Sequence, residues 1–110
     1  MTSTGYMARG LCAAALMAFW AAPAQANCEW SIGMLRQDIA LIESIAPIAA
    51  NAGKDVQAKY QTALDGAKSA VARAELLAAK RDYGACEYAV GEARDRISEA
   101  RDTIPKPKNG

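Results

Sequence analysis

Histidine is absent from this 110-residue chain, and only 6% of its residues are aromatic. Without imidazole it lacks the commonest general base and transition-metal ligand near neutral pH, so many enzyme classes fall away. An excess of one charge is lacking too. The chain has 13 Lys+Arg against 12 Asp+Glu, without the clustered cations that neutralise phosphates, which argues against nucleic acid as a partner. It also lacks a glycine-rich phosphate loop, a metal-type cysteine pair and a haem attachment motif, so no cofactor is expected. What is present is apolar surface of a particular kind. Hydrophobic residues make up 52%, and alanine carries much of that total, so one small domain with a core of short side chains is expected.

The N-terminus reads as a secretory signal peptide. Arg9 precedes the 12-residue apolar run Leu11 to Ala22, then come Pro23 and the small-x-small sequence Ala24-Gln25-Ala26, which predicts cleavage after Ala26. A run of that length falls short of the ~20 residues of a permanent span, so no stable membrane anchor is expected. Neither Cys12 nor Cys28 is preceded by a lipid-attachment pattern. The chain then divides into a signal peptide at 1–26, a helical domain at 27–104 and a loose tail at 105–110. Localisation is the periplasm or the extracellular medium. Removing Arg9 with the leader takes 13 cations to 12, which balance 12 anions, so the mature protein is neutral.

Cys28 and Cys86 remain after cleavage, and an even number in an oxidising compartment predicts one disulfide. The rest of the sequence is helical, with no stretch of period two. The first helix, roughly 29–51, carries two apolar stripes. Leu35, Ile39, Ile42, Ala46 and Ala49 form one, and Met34, Leu41, Ile45 and Ile48 form the other; the wide face suits a helix packed against two partners. Pro47 removes the amide that would bond Glu43, so a kink is expected between those residues. The second helix, about 55–81, repeats Val56, Tyr60, Ala63, Ala67, Ala70, Ala74 and Leu77 in a 4-3 spacing. The third, about 83–103, repeats Cys86, Val90, Ala93, Ile97, Ala100 and Ile104.

These elements predict an all-α, up-down-up three-helix bundle in which the first and third helices start at one end, where Cys28 and Cys86 meet. Charge agrees with this order. Residues 54–81 hold six cations and three anions, residues 82–102 three cations and six anions, so the second and third helices attract. Ala70, Ala74, Leu77, Tyr83, Cys86, Val90 and Ala93, with Arg81-Asp82-Tyr83 as the turn, resemble one tetratricopeptide hairpin. Arg73 stands at a normally apolar position of that pattern, and no second copy occurs in the chain. The resemblance implies a helix-turn-helix shape and no peptide groove.

Two constellations are candidate interaction sites. Glu92, Asp95, Glu99 and Asp102 place four carboxylates along one face of the third helix. A straight helix cannot wrap one ion over three turns, and Arg94, Arg96 and Arg101 interleave with them, so a solvated face is expected there and no metal site. Trp30, Tyr83 and Tyr88 gather near the disulfide, as bundle caps or as partner contacts. The serines have no histidine to activate them, and no catalytic residue is expected. The expected function is that of an exported, non-enzymatic helical protein acting through contacts with a protein partner, as an adaptor, an inhibitor or immunity-type protein, or a small chaperone. Two alternatives stand beside it. One is a carrier of a small ligand or divalent ion; the other is a structural homo-oligomer pairing through its alanine-rich second helix.

Overall fold

The computed structural model describes residues 23–106. They form four helices and no strand: α1 (Pro23–Ser44), α2 (Ala46–Asn51), α3 (Lys54–Ala79) and α4 (Tyr83–Thr103). Residues 1–22 of the expected signal peptide (1–26) and 107–110 of the expected tail (105–110) lie outside the described residues, and the expected cleavage point after Ala26 falls within the first two turns of α1.

α1 and α2 are the two halves of the expected first helix, parted at Ile45. Pro47 is the cause, since it has no N–H to donate to Glu43 and starts a new helix well. The backbone repairs the break locally. The Ile45 N–H donates to the Ile42 carbonyl at 3.2 Å, and the Ile48 N–H to the Ile45 carbonyl at 3.0 Å. From α3, the buried Tyr60 hydroxyl donates to the same Ile42 carbonyl at 2.5 Å, which fixes the break against the bundle.

The core runs the length of the bundle. α3 and α4 pack most extensively on each other, and α1 lies in the groove between them. Ala67, Ala74, Ala93 and Ala100 are fully buried in the seam, where the short side chain lets the helices approach closely. α1 supplies Cys28, Ile32, Leu35, Ile39 and Ile42, a 4-3-4-3 series that starts at the half-cystine. The expectation that both apolar stripes of this helix are buried does not hold. Ile45 is half-buried, but Met34, Leu41 and Ile48 are exposed. α1 does touch two partners, yet through one stripe only. Met34 and Leu41 stand roughly 120–140° around the helix from that stripe, beyond the reach of the groove.

Cys28 and Cys86 form the expected disulfide, with Cα atoms 6.3 Å apart and a sequence separation of 58. The Cys86 sulfur lies 3.3 Å from the Ala74 carbonyl oxygen of α3. α3 stops at Ala79 rather than at the expected Arg81. Arg81 has φ 62°, its N–H donates to the Ala78 carbonyl, and the Asp82 N–H donates to the Leu77 carbonyl. That is a Schellman cap with arginine at the left-handed position glycine usually holds. Asp82 then caps α4 by accepting from the Ala85 N–H at 3.3 Å, so three residues stop one helix and start the next.

Candidate functional site

The carboxylate face of α4 is present but largely committed. Glu92 pairs with Arg73 of α3 at 2.5 Å, and Glu99 with Arg96 at 2.9 Å. Arg96 lies flat across α3 because Gly66 leaves room for it; a Cβ there would stand 3.3 Å from its Cδ. Asp95 and Asp102 make no ion pair among the described residues. No group of three metal-ligating side chains converges there either. Glu99, Asp102 and Thr103 of α4 face Ala58, Lys59 and Thr62 of α3 across an open groove of about 530 Å³ between the start of α3 and the end of α4.

The aromatic residues near the disulfide do not form one cluster. Tyr83 is half-buried and packs on the core, whereas Trp30 and Tyr88 are 65% and 74% exposed. Trp30 follows Cys28 by two positions, and Tyr88 follows Cys86 by two. Each is thereby turned about 200° from its half-cystine and leaves the bundle on the outer side of its own helix. Tyr88 instead shares a shallow depression with Glu87, Glu92 and Asp95.

A further exposed surface lies on the outside of α1 and continues onto α2. Trp30, Met34 and Leu41 follow one another along α1, and Ile48 continues the row on α2 past the break at Ile45, with Gly33, Gln37, Ala40 and Ser44 between them and also exposed. None of these eight residues is charged. The charged residues flanking the stripe in mid-helix turn back toward the bundle. Arg36 pairs with Glu75 at 2.6 Å, and Glu43 with Lys68 at 2.9 Å, both on α3. On the other flank Asp38 shares a depression with Arg94 and Arg101 of α4. The pairing with Glu75 raises the Arg36 guanidinium above its ordinary pKa, and the hydrogen bond to Glu43 does the same for the Lys68 ammonium. This helix therefore reverses the usual solvent-facing pattern, with its charges drawn sideways and its large apolar groups left outside. The signal in sequence was the missing charge rather than the apolar period. Between Trp30 and Ile48, every second-stripe position and its outer neighbours are uncharged.

The alanine seam of α3, by contrast, is consumed within the chain, because Ala63, Ala67, Ala70 and Ala74 are all buried. Any pairing between molecules has to use another surface than this seam. No helix of the described residues is long and apolar enough to cross a membrane. No family model, curated protein or solved structure matches this chain.

Proposed function

We propose that this is an exported, non-enzymatic helical protein that works by protein contact, as an adaptor, an inhibitor or immunity-type protein, or a small chaperone, with the outer face of α1 as its contact surface. The observation that carries this reading is the uncharged row of Trp30, Met34 and Leu41 exposed on α1 and continued by Ile48 on α2, beside which Arg36 and Glu43 are paired with α3. Large apolar and aromatic groups gathered on a rigid element are what interaction hot spots are made of. Export is supported by the leader-like N-terminus and by the Cys28–Cys86 bridge, which belongs to an oxidising compartment. The test is affinity capture from intact cells after crosslinking. The reading expects an adduct that disappears in Trp30→Glu and persists in Tyr88→Glu, and an adduct pattern indifferent to Trp30 refutes it.

A second reading is favoured by the groove beside Lys59, Glu99 and Asp102, whose volume is in the range of small-molecule sites. It makes the protein a carrier of a small ligand or a divalent cation. Calorimetric titration with Ca²⁺, Mg²⁺ and Zn²⁺ tests the cation form, and a flat trace removes it.

A further inference from the structure

Four cationic side chains of the bundle are spent on carboxylates: Arg36 on Glu75, Lys68 on Glu43, Arg73 on Glu92 and Arg96 on Glu99, at 2.5 to 2.9 Å. The crevice between α1 and α4 is different. Asp38, half-buried on α1, lines it together with Arg94, Ser98 and Arg101 of α4, beside the buried Ile97. The three charged groups share a space of about 250 Å³, yet none of them makes an ion pair among the described residues.

Their own helices offer no substitute. No opposite charge stands three or four positions away from Asp38, Arg94 or Arg101, where helical charges pair. Arg94 is drawn off toward the start of α1, because its guanidinium donates to the Ser31 hydroxyl at 3.4 Å. Ser31 precedes Asp38 by seven residues, about 10 Å along the helix axis. Helical side chains lean toward the start of their helix, so Arg101 reaches back to the level of Ser98. The crevice thus presents a guanidinium at each end, with a carboxylate and a hydroxyl between them.

We infer that this crevice binds a small acidic amino acid, free aspartate or glutamate. The set of charges selects that class. A divalent cation meets two arginines, and a neutral molecule leaves three charges unanswered. An inorganic anion or a plain dicarboxylate satisfies the guanidinium groups but sets negative charge against Asp38. A ligand with two carboxylates and one ammonium answers all three. Each arginine forks onto one carboxylate, the ammonium donates to Asp38, and the Ser98 hydroxyl donates to a carboxylate oxygen. The net charges match too, one positive in the crevice and one negative on the ligand. The space is smaller than the roughly 300 Å³ at which drug-sized sites begin, as suits a molecule of this size. The site depends neither on the outer row of α1 nor on the groove beside Lys59.

The test is calorimetric titration of the protein recovered from the oxidising compartment with glutamate and with aspartate at low ionic strength. For the better of the two, Kd should be on the order of 0.1–1 mM. Glutarate keeps both carboxylates and lacks the ammonium, and it should bind at least tenfold more weakly. Asp38→Asn should reverse that preference by weakening glutamate and strengthening glutarate, whereas a residue that only supported the fold would weaken both. Arg101→Gln should weaken glutamate at least tenfold, and Arg101→Lys, which keeps the charge and loses the fork, should fall between. Arg96→Gln, at an arginine already paired with Glu99, should leave binding unchanged. Helical circular dichroism should be the same in all four variants. No heat from either amino acid at ten times the expected Kd overturns the proposal. So does glutarate or phosphate binding as tightly as glutamate, or an equal loss in Arg101→Gln and Arg96→Gln.

Discussion

Tyr60 is the largest fully buried side chain of a core otherwise rich in alanine, and its hydroxyl reaches the carbonyl where α1 breaks. Burial, reinforced by the nearby Glu43 carboxylate, pushes its phenol above its ordinary pKa of 10. The native state therefore favours the neutral phenol. Its contribution is complete below about pH 10, the unfolded value, and is lost as pH rises through the folded one. Tyr60→Phe removes one of the two donors to the Ile42 carbonyl and should cost about 1–2 kcal/mol at pH 8 in urea unfolding. Between pH 8 and pH 11 the wild type should lose more stability than the variant. Lys68, held charged chiefly by Glu43, is coupled to the Tyr60 phenol, so the two slopes are compared in a Lys68→Met background, where their difference belongs to Tyr60. Equal slopes would show that the phenol is not held neutral by the fold.

The connections between helices respond to substitution in opposite directions although both use positive φ. Gly53, at φ 121° before α3, has open space around it, so the cost of a side chain there is conformational. Gly53→Ala should lower stability by about 1–2 kcal/mol. Arg81, at φ 62°, holds a conformation that glycine adopts without strain, and Arg81→Gly should raise stability by roughly 0.5–1 kcal/mol. Thermal melts of the two variants should shift to either side of the wild type. The elements themselves were legible in the sequence wherever one stripe dominated. Tyr83 to Thr103 matches α4 at both ends, and the alanine repeat of α3 is buried as its spacing implied. α1 was harder because two stripes of equal apolarity compete, and periodicity cannot say which one faces inward. Starting the count at Cys28 would have resolved it, since Ile32, Leu35, Ile39 and Ile42 continue from the half-cystine while Met34 and Leu41 do not. The outer face escaped notice for the same reason, having been assigned to the core.

At the scale of the whole molecule, the bridge joins the first helix to the last across 58 residues. Closing a loop of that length lowers the entropy of the unfolded chain by the equivalent of about 4 kcal/mol, comparable to what a core of this size supplies. Replacing Cys28 and Cys86 together by alanine should therefore leave a chain that is marginal at 37 °C, seen as a loss of helical circular dichroism; a variant melting within a few degrees of the wild type would show that alanine packing suffices alone. Surface ion pairs such as Arg73–Glu92 are too exposed to make up the difference. The staple and the helix order were readable because cysteine position and helix count together leave few topologies. The site was not, because contact surfaces have no fixed motif.

Both half-cystines are sealed, each with 0% exposure, and this constrains the order of events in time. α3 and α4 are joined by three residues and can associate from local contacts, whereas α1 must return to them from further along the chain. Once α1 has docked, no oxidant can reach the sulfurs. The bridge has to form before α1 closes over the hairpin. Maturation is therefore a race between a chemical reaction and a docking step, and a change that made α1 dock faster would trap the chain in its reduced form.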